Sequence, residues 1–347
     1  MDRCEKLMPL LKERGLDGLL ITDRNNVAYF SGFCGSAGYL LVTEHMRVLV
    51  TDFRYTYQAS VQAAGFDIRD SADTKPGDII NTSLTIGFEN KSLTYDDYCR
   101  YSAVFANLMP LDDELVKLRS VKDEYEISRI SHAADIADRA FSHIIDYMKP
   151  GMTEAEVALE LEFYMRKNGA AGLSFDSIIA SGANGAMPHA TPGDKKISSG
   201  ELVVMDFGCV VDGYCSDMTR TVAVGDVSDR HIEVYNDVLD VQLKCLDMLA
   251  VGASCRDIHM YSYDTLNGKY KDCYGHGLGH GVGLEVHELP NLNLRTTHNL
   301  VPGNVITVEP GVYINDFCGV RIEDLVLITD SDIQILSKST KELIKIL

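Results

Sequence analysis

The feature that most restricts this chain is a run of glycines and histidines followed by two apolar segments that each hold an acid. From Tyr274 the chain reads Tyr-Gly-His-Gly-Leu-Gly-His-Gly-Val-Gly-Leu-Glu-Val-His-Glu, which sets His276, His280 and His287 among interleaved glycines. Glycine lets the backbone crowd a ligand or another segment. Beyond it, Val305-Ile-Thr-Val-Glu309 and Val320-Arg-Ile-Glu-Asp-Leu-Val-Leu-Ile328 read as two strands, carrying Glu309 and Glu323 in strongly apolar surroundings. Charges in buried strands are rare unless paired or coordinated. On the second of these strands a period of two puts Arg321 and Glu323 on one face, so Arg321 can hydrogen-bond the carboxylates of a site. A purely structural Arg–Glu pair is the plain alternative for that strand taken alone.

Two more acids lie upstream. Leu202-Val-Val-Met-Asp206 is a strand that alternates up to its acid, and in Cys215-Ser-Asp-Met-Thr-Arg-Thr a period of two puts Asp217, Thr219 and Thr221 on one face. Gly208 and Asp212-Gly213 supply turn chemistry between them, so the two segments are expected to pair as a hairpin. The two carboxylates then lie close on one sheet face, where they repel and one has a raised pKa unless a cation removes the penalty. Either acid alone reads as a solvated side chain on an edge strand. An imidazole with the four carboxylates suits two hard or borderline divalent metals that share bridging carboxylates.

Composition narrows the class. Acids outnumber Lys plus Arg by 51 to 32, a formal charge of −19, which argues against nucleic acid or an anionic membrane as the main partner. The charged start Met-Asp-Arg-Cys-Glu-Lys is unlike a signal peptide, and no apolar run approaches the ~20 residues that span a bilayer. The nine cysteines are odd in number and scattered without a Cys-x-x-Cys pair, so a reduced, cytoplasmic location is expected. Cys209 and Cys215 lie near the acidic pair but read as small apolar fillers.

The chain of 347 residues is long enough for two domains. Residues 1–119 read as an α/β unit: a helix from Cys4 to Arg14, strands at Leu19–Thr22, Gly38–Thr43, Arg47–Thr51 and near Thr85–Gly87, and helices from Asp52 to Ala64 and from Thr94 to Phe105. The Gly32–Gly38 loop lacks the Lys-Ser/Thr ending of a phosphate loop and reads as a turn. Asp112–Arg119 reads as a polar connector, and residues 120–347 as an α+β unit. Its first helix takes Ser120 as N-cap and stops at Pro150-Gly151; Thr153-x-x-Glu156 is a capping box for the next, which ends near Asn168-Gly169. Ser228–Leu249 and Cys255–Leu266 read as two more helices. Six histidines (His45, His132, His143, His231, His259 and His298) sit in helical or surface-like contexts, and His189, in a loop after Met187-Pro188, has no ligand spacing of its own.

Taken together, these motifs resemble the pita-bread metallopeptidases, in the branch of Xaa-Pro aminopeptidase (aminopeptidase P) and Xaa-Pro dipeptidase (prolidase). The likeness covers nearly the whole chain and includes the Gly-Phe-x-Gly-Ser and Thr-Asp-x-Arg-Tyr patterns at 32–36 and 51–55. It implies an α+β pita-bread catalytic domain behind a smaller α/β creatinase-type N-terminal domain. It also implies that Asp206, Asp217, His280, Glu309 and Glu323 ligate two divalent metals, with Asp217 and Glu323 bridging. Spacings of eleven between the aspartates and fourteen between the glutamates fit the family. Manganese is the metal the likeness favours, with cobalt, iron or zinc permitted by the ligands.

By the same resemblance, His189, His276 and His287 are catalytic or substrate-binding, Glu309 doubles as a proton acceptor, and Tyr313 and Arg321 support the site. The activity implied is release of an N-terminal residue from peptides with proline second, with no nucleic-acid or membrane partner and a homodimer as the assembly. Aminopeptidase is preferred here over dipeptidase because of the compact N-terminal domain. Methionine aminopeptidase usually lacks such a domain. A creatinase-like amidinohydrolase without metal, or a non-catalytic binding module of this fold, would be expected to have lost ligands, and all five are present.

Overall fold

The computed structural model describes residues 2–347 and divides into two units, Met1–Arg119 and Ser120–Leu347. The first is a six-stranded mixed sheet with helices. Its strands are β1 (Gly18–Ile21), β2 (Tyr39–Thr43), β3 (Arg47–Thr51), β4 (Asp67–Asp70), β5 (Thr85–Glu89) and β6 (Asn107–Leu111), in the order β4-β3-β2-β1-β5-β6. β1 pairs antiparallel to β2 and parallel to β5, and every residue of β1 is buried, as expected of a central strand covered on both faces. The helices are α1 (Leu7–Arg14), α2 (Arg24–Ser31), α3 (Thr56–Gln62), α4 (Pro76–Ile79), α5 (Tyr95–Ser102) and α6 (Glu114–Ser120).

Several expectations are corrected here. The first turn of the opening helix is a 3-10 turn, Arg3–Lys6, before α1 ends at left-handed Gly15. α3 begins four residues later than Asp52, because the Asp52 carboxylate accepts the Arg54 amide and forms a turn in place of a first helical turn. Asp112–Arg119 is not a plain connector: Leu115 and Arg119, four apart, are both buried, and that shared face makes α6 a helix. α2, β4 and β6 were not anticipated; β4 in particular has no fully buried residue to reveal it.

The second unit is built of two halves in sequence, each a pair of helices followed by strands that pair antiparallel, apart from the last strand, Lys345–Ile346, which runs parallel to Met218–Val224 of the first half. The first half has α7 (Glu124–Tyr147) and α8 (Glu154–Lys167), then β7 (Gly172–Leu173), β8 (Ile178–Ser181), β9 (Glu201–Phe207), β10 (Cys209–Val211), β11 (Tyr214–Cys215) and β12 (Met218–Val224). The second has α9 (Asp229–Asp247) and α10 (Cys255–Lys269), then β13 (Gly279–Gly281), β14 (Glu288–Leu292), β15 (Val305–Val308), β16 (Gly311–Ile314), β17 (Cys318–Arg321), β18 (Asp324–Ile328), β19 (Ile333–Ile335) and β20 (Lys345–Ile346). The main sheets run β20-β12-β9-β8 and β14-β13-β15-β18-β19, with a small β11-β10-β7 sheet and a β16-β17 ribbon beside them. Ile136, Phe141, Val157 and Leu161 pack on Val203, Met205 and Val222 in one core; Val238, Val241 and Ile258 pack on Ile306, Val308 and Val326 in the other.

α7 is capped by Asp123, not Ser120. Asp123 accepts the Glu126 amide while Glu126 accepts that of Asp123, a reciprocal pair that satisfies two amides at the helix start. Ser120 is instead the last residue of α6, and the Lys122 amide, which a Ser120 cap would have to hold, is donated to the Gly303 carbonyl at 2.8 Å. The Thr153–Glu156 capping box is present as read.

The strands that carry acids pair as their register requires, with two revisions. β9 and β12 are antiparallel with Asp206 opposite Thr219, but their connection holds a second, nested hairpin, β10–β11, turned at Asp212-Gly213 with φ of 49° and 87°. The segment Val320–Ile328 is two strands in two sheets. β17 pairs with β16, whereas β18 pairs with β15 and β19, and the chain crosses between them at Ile322-Glu323. The Glu323 amide donates to the Thr219 carbonyl at 3.1 Å, which ties that crossing to β12.

Candidate metal centre

His280 reaches the site from the middle of β13, the strand thinned by glycines. A Cβ on Gly279 would lie 2.0 Å from the Thr307 carbonyl oxygen, and one on Gly281 would lie 2.1 Å from that of Leu289. Only glycine allows β13 to press this closely between its neighbours, which explains the pattern that dominates the sequence. The His280 Nδ1–H donates to the Gly281 carbonyl at 3.1 Å. That fixes the tautomer and presents Nε2 to the carboxylates, 3.3 Å from Glu309 Oε1 and 3.6 Å from Asp217 Oδ2.

Asp206 ends the alternation of β9, Asp217 immediately precedes β12, Glu309 follows β15 and Glu323 precedes β18. Val308 pairs with Asp324, so the next residues out, Glu309 and Glu323, leave the sheet side by side. Asp206, Asp217, His280 and Glu323 are buried and Glu309 is half-buried. One ligand atom each from Asp217, His280 and Glu323 lies within 4.8 Å of the others.

The charge balance of this cluster tests whether cations fit it. Burial pushes Asp217 well above the carboxylate range, and the charges of Glu323, Asp206 and Glu309 push the same way. Glu323 is raised for the same reasons, burial first. Burial raises Asp206 too, against the pull of Arg321. Burial also opposes the charge on Glu309, but the hydrogen bond and charge of His280, with His276 and Arg321, outweigh it and bring Glu309 down to about 2. Asp206 Oδ1 and Glu323 Oε1 are buried oxygens with no hydrogen-bond donor. Buried carboxylates that repel one another and keep unanswered oxygens need a cation to offset their desolvation. The residues present fit a divalent metal centre.

The other oxygens are held by a hydrogen-bonded frame centred on Arg321. Its Nη2 donates to Asp206 Oδ2 at 2.6 Å, its Nε to Thr219 Oγ1 at 3.0 Å, and its Nη1 to Tyr313 Oη at 2.7 Å. Thr219 Oγ1 passes its own hydrogen to Glu323 Oε2 at 2.7 Å. Tyr313 lies 2.9 Å from His276 Nε2, and His276 Nδ1–H donates to the Gly277 carbonyl, so the Tyr313 hydroxyl is the donor to the imidazole. Burial pushes the Tyr313 hydroxyl up to about 12 and the His276 imidazole down. Both nitrogens of His276 are thus occupied within the protein, and a substrate group must compete with Tyr313 for Nε2.

These residues line one side of a cavity of about 590 Å³. His189 and His287 also line it, both exposed, the latter with its ring 4.3 Å from that of His280. All the residues singled out from sequence therefore meet at one place. Sequence reading missed Thr307, whose hydroxyl accepts the His280 amide at 3.1 Å and lies 3.2 Å from Glu309, and the bridging role of Thr219. It also missed Phe175, Asp176, Asn291 and Asn293 on the cavity wall. His259 lies in α10, a helical context as read, but is buried there, and its Nδ1 accepts the Leu278 amide at 3.2 Å, steadying the start of the glycine run. Among the described residues no helix is long and apolar enough to cross a membrane.

Comparison with known proteins gives the same grouping. Residues 128–330 match metallopeptidase family M24, and residues 3–121 match the creatinase/prolidase N-terminal domain. An uncharacterized peptidase, YqhT, of Bacillus subtilis is 45% identical, with 99% of each chain covered. Among solved structures, an Xaa-Pro dipeptidase from Bacillus anthracis is 40% identical over 99% of both chains, with a TM-score of 0.95. An X-Pro aminopeptidase from Thermotoga maritima is 35% identical over 99% of this chain and 100% of its own, with a TM-score of 0.89. The chain belongs to metallopeptidase family M24: it is a hydrolase with a creatinase-type N-terminal domain and a pita-bread catalytic domain.

Proposed function

We propose that this protein hydrolyses the bond between an N-terminal residue and a following proline, with Xaa-Pro dipeptides as its main substrates. The observation that carries the reading is the meeting of Asp206, Asp217, His280, Glu309 and Glu323 on one cavity wall, with two carboxylate oxygens unanswered. The preference for dipeptides reverses the one drawn from sequence and is supported by the dipeptidase relative being 40% identical, against 35% for the aminopeptidase. That second relative keeps aminopeptidase as the alternative reading.

The five residues would hold two divalent ions, manganese being the metal we propose. When bound, such a pair supplies a hydroxide-like nucleophile near neutral pH and polarises the scissile carbonyl. The chain's own groups do the rest. Glu309 lines the cavity beside His280 and can offer a carboxylate oxygen as proton acceptor. Arg321 keeps Asp206 aimed while Thr219 keeps Glu323 aimed. His189 and His287 face the cavity: His287 can donate to a peptide carbonyl or move a proton to the leaving amine, and His189 can hold the substrate on its proline side. Tyr313 holds His276 in a single tautomer, ready to exchange its partner when substrate enters.

The test uses protein stripped of metal, reconstituted with Mn²⁺ and offered Ala-Pro and Arg-Pro-Pro side by side, with products read by mass. Cleavage of Ala-Pro alone is expected. Release of Arg from Arg-Pro-Pro would establish the aminopeptidase reading. No cleavage of either with manganese, cobalt, iron or zinc would overturn both.

A further inference from the structure

Part of the cavity wall is a loop, residues 182–192, that opens with a 3-10 turn at Gly182–Ala186 and carries Pro188, His189, Thr191 and Pro192. One helix end grips both ends of it. Glu154, the first residue of α8, is completely buried. Its carboxylate accepts the Ser181 amide and hydroxyl, both at 2.7 Å, and the Asn184 side-chain amide at 3.0 and 3.2 Å. These bonds fix where the loop leaves β8. Where it returns, the Glu154 amide donates to the Lys195 carbonyl and the Ala155 amide to that of Gly193, each at 3.1 Å. Lys195 closes the circuit by donating to Ser181 Oγ at 2.6 Å and to the Glu201 carboxylate.

Between the two grips the loop leans on the metal wall. A Cβ on Gly319 would lie 1.7 Å from the Gly185 carbonyl oxygen, so β17 and the loop touch backbone to backbone. Arg321 Nη1 reaches the Pro188 carbonyl at 3.4 Å. A buried carboxylate with three side-chain and backbone donors is a fixed point, since leaving any of them unpaired inside the protein costs the desolvation of that group. The loop's interior bonds run outward from Asn184, whose carbonyl accepts the Met187 amide at 2.9 Å, and Met187 in turn accepts the Ala190 amide at 3.1 Å.

We propose that Glu154, acting through Asn184 and Ser181, is a positioning residue that sets His189 and the proline-bearing wall of the cavity against the metal wall. This rests on the function proposed above for the meaning of its kinetic effect, though the placement of the loop can be measured without it. Glu154 bonds to Ser181, Asn184 and Lys195 and to none of the five candidate ligands, so its influence is on substrate fit: KM changes and kcat does not.

The test compares Asn184→Ala, which removes one reach of the grip and leaves Ser181 bonded, with Glu154→Gln, which turns an acceptor of the Asn184 amide into a donor. In the Mn²⁺-loaded protein each is expected to raise KM for Ala-Pro about tenfold, with kcat within about twofold and metal stoichiometry as in the wild type. In a His189→Ala background, Glu154→Gln is expected to add nothing further, because both act through one loop. Amide exchange at Met187 and Ala190 is expected to quicken about tenfold while the β8–β9–β12 sheet stays protected. Exchange and KM unchanged in both variants, effects that multiply in the double variant, or loss of protection across the sheet would each overturn the proposal. If the wild type cuts no Xaa-Pro peptide, the functional reading fails alone, and the exchange pattern still decides whether Glu154 sets the loop.

Discussion

Glu323 and Asp324 are adjacent, both buried, and held in opposite ways. Asp324, the first residue of β18, has both oxygens answered: Arg220 donates to Oδ1 at 2.7 Å, and Gln242 and Lys341 donate to Oδ2. In the first unit Glu89 is as complete, accepting the Thr22 and Asp23 backbone amides at 2.6 and 2.8 Å on one oxygen and the Asn26 side-chain NH2 on the other. Glu323 and Asp206, on the cavity side, each have one oxygen answered and one bare. An acid kept for architecture is surrounded by N–H donors until nothing is unpaired. An acid kept for a cation is aimed by a single bond and left otherwise open, at a cost in stability that only the ligand offsets.

The sharpest way to break this contrast is to neutralise the two neighbours separately. Glu323→Gln is expected to abolish binding of the metal pair and lower kcat/KM by more than about a thousandfold, roughly 4 kcal/mol, without weakening the stripped protein. Metal analysis and urea unfolding on one preparation settle it; full metal content with full activity would end the ligand assignment. The pH dependence carries a sign. Asp217 and Glu323 are raised in the folded state, so the native protein binds more protons than the unfolded chain. Stripped protein should therefore lose stability as pH rises above the ordinary carboxylate pKa of about 4, and the slope should shrink in Glu323→Gln.

Asp324→Asn is expected to do the reverse. It leaves Arg220 and Lys341 without their counter-charge, which costs about 3 kcal/mol of unfolding free energy. Metal stoichiometry should not change, and a variant that lost metal but not stability would invert the comparison. The smallest effect tests the single aiming bond. Thr219→Val removes the hydroxyl shared by Arg321 and Glu323. Metal affinity measured by competition with a chelator is expected to fall about tenfold, with about 1 kcal/mol lost in stability. No change in affinity would mean that Glu323 is positioned by its backbone alone.

The candidate site was legible in this sequence to an unusual degree, for a physical reason. Acids inside apolar strands and glycines alternating with histidines are both costly in an ordinary core, so they stand out against their surroundings. The helix starts at Thr153 and Ser228 were legible because a capping side chain acts on amides only two or three residues away. What escaped notice was either unmarked or ambiguous. Thr219 and Thr307 are common strand residues whose hydroxyls matter only because of what lies opposite. Ser120 was read as the cap because nothing local shows that it ends one helix while Asp123 caps the next.

By itself, then, the sequence determined the inventory: which acids and imidazoles the catalytic unit would carry, the strands they would end, and the helices that would cover those strands. These follow from local rules of periodicity, capping and burial. Only the tertiary structure decided that Val320–Ile328 divides between two sheets, because an unbroken apolar run says that a strand is buried and not which strands lie beside it. That division turns Glu323 toward the cavity and Asp324 toward Arg220. It likewise decided that Glu154, an ordinary first-turn acid in sequence, is buried and bonded at both ends of the loop that carries His189. Which partners an acid finds depends on residues 27 or 104 positions away, and no local pattern records them.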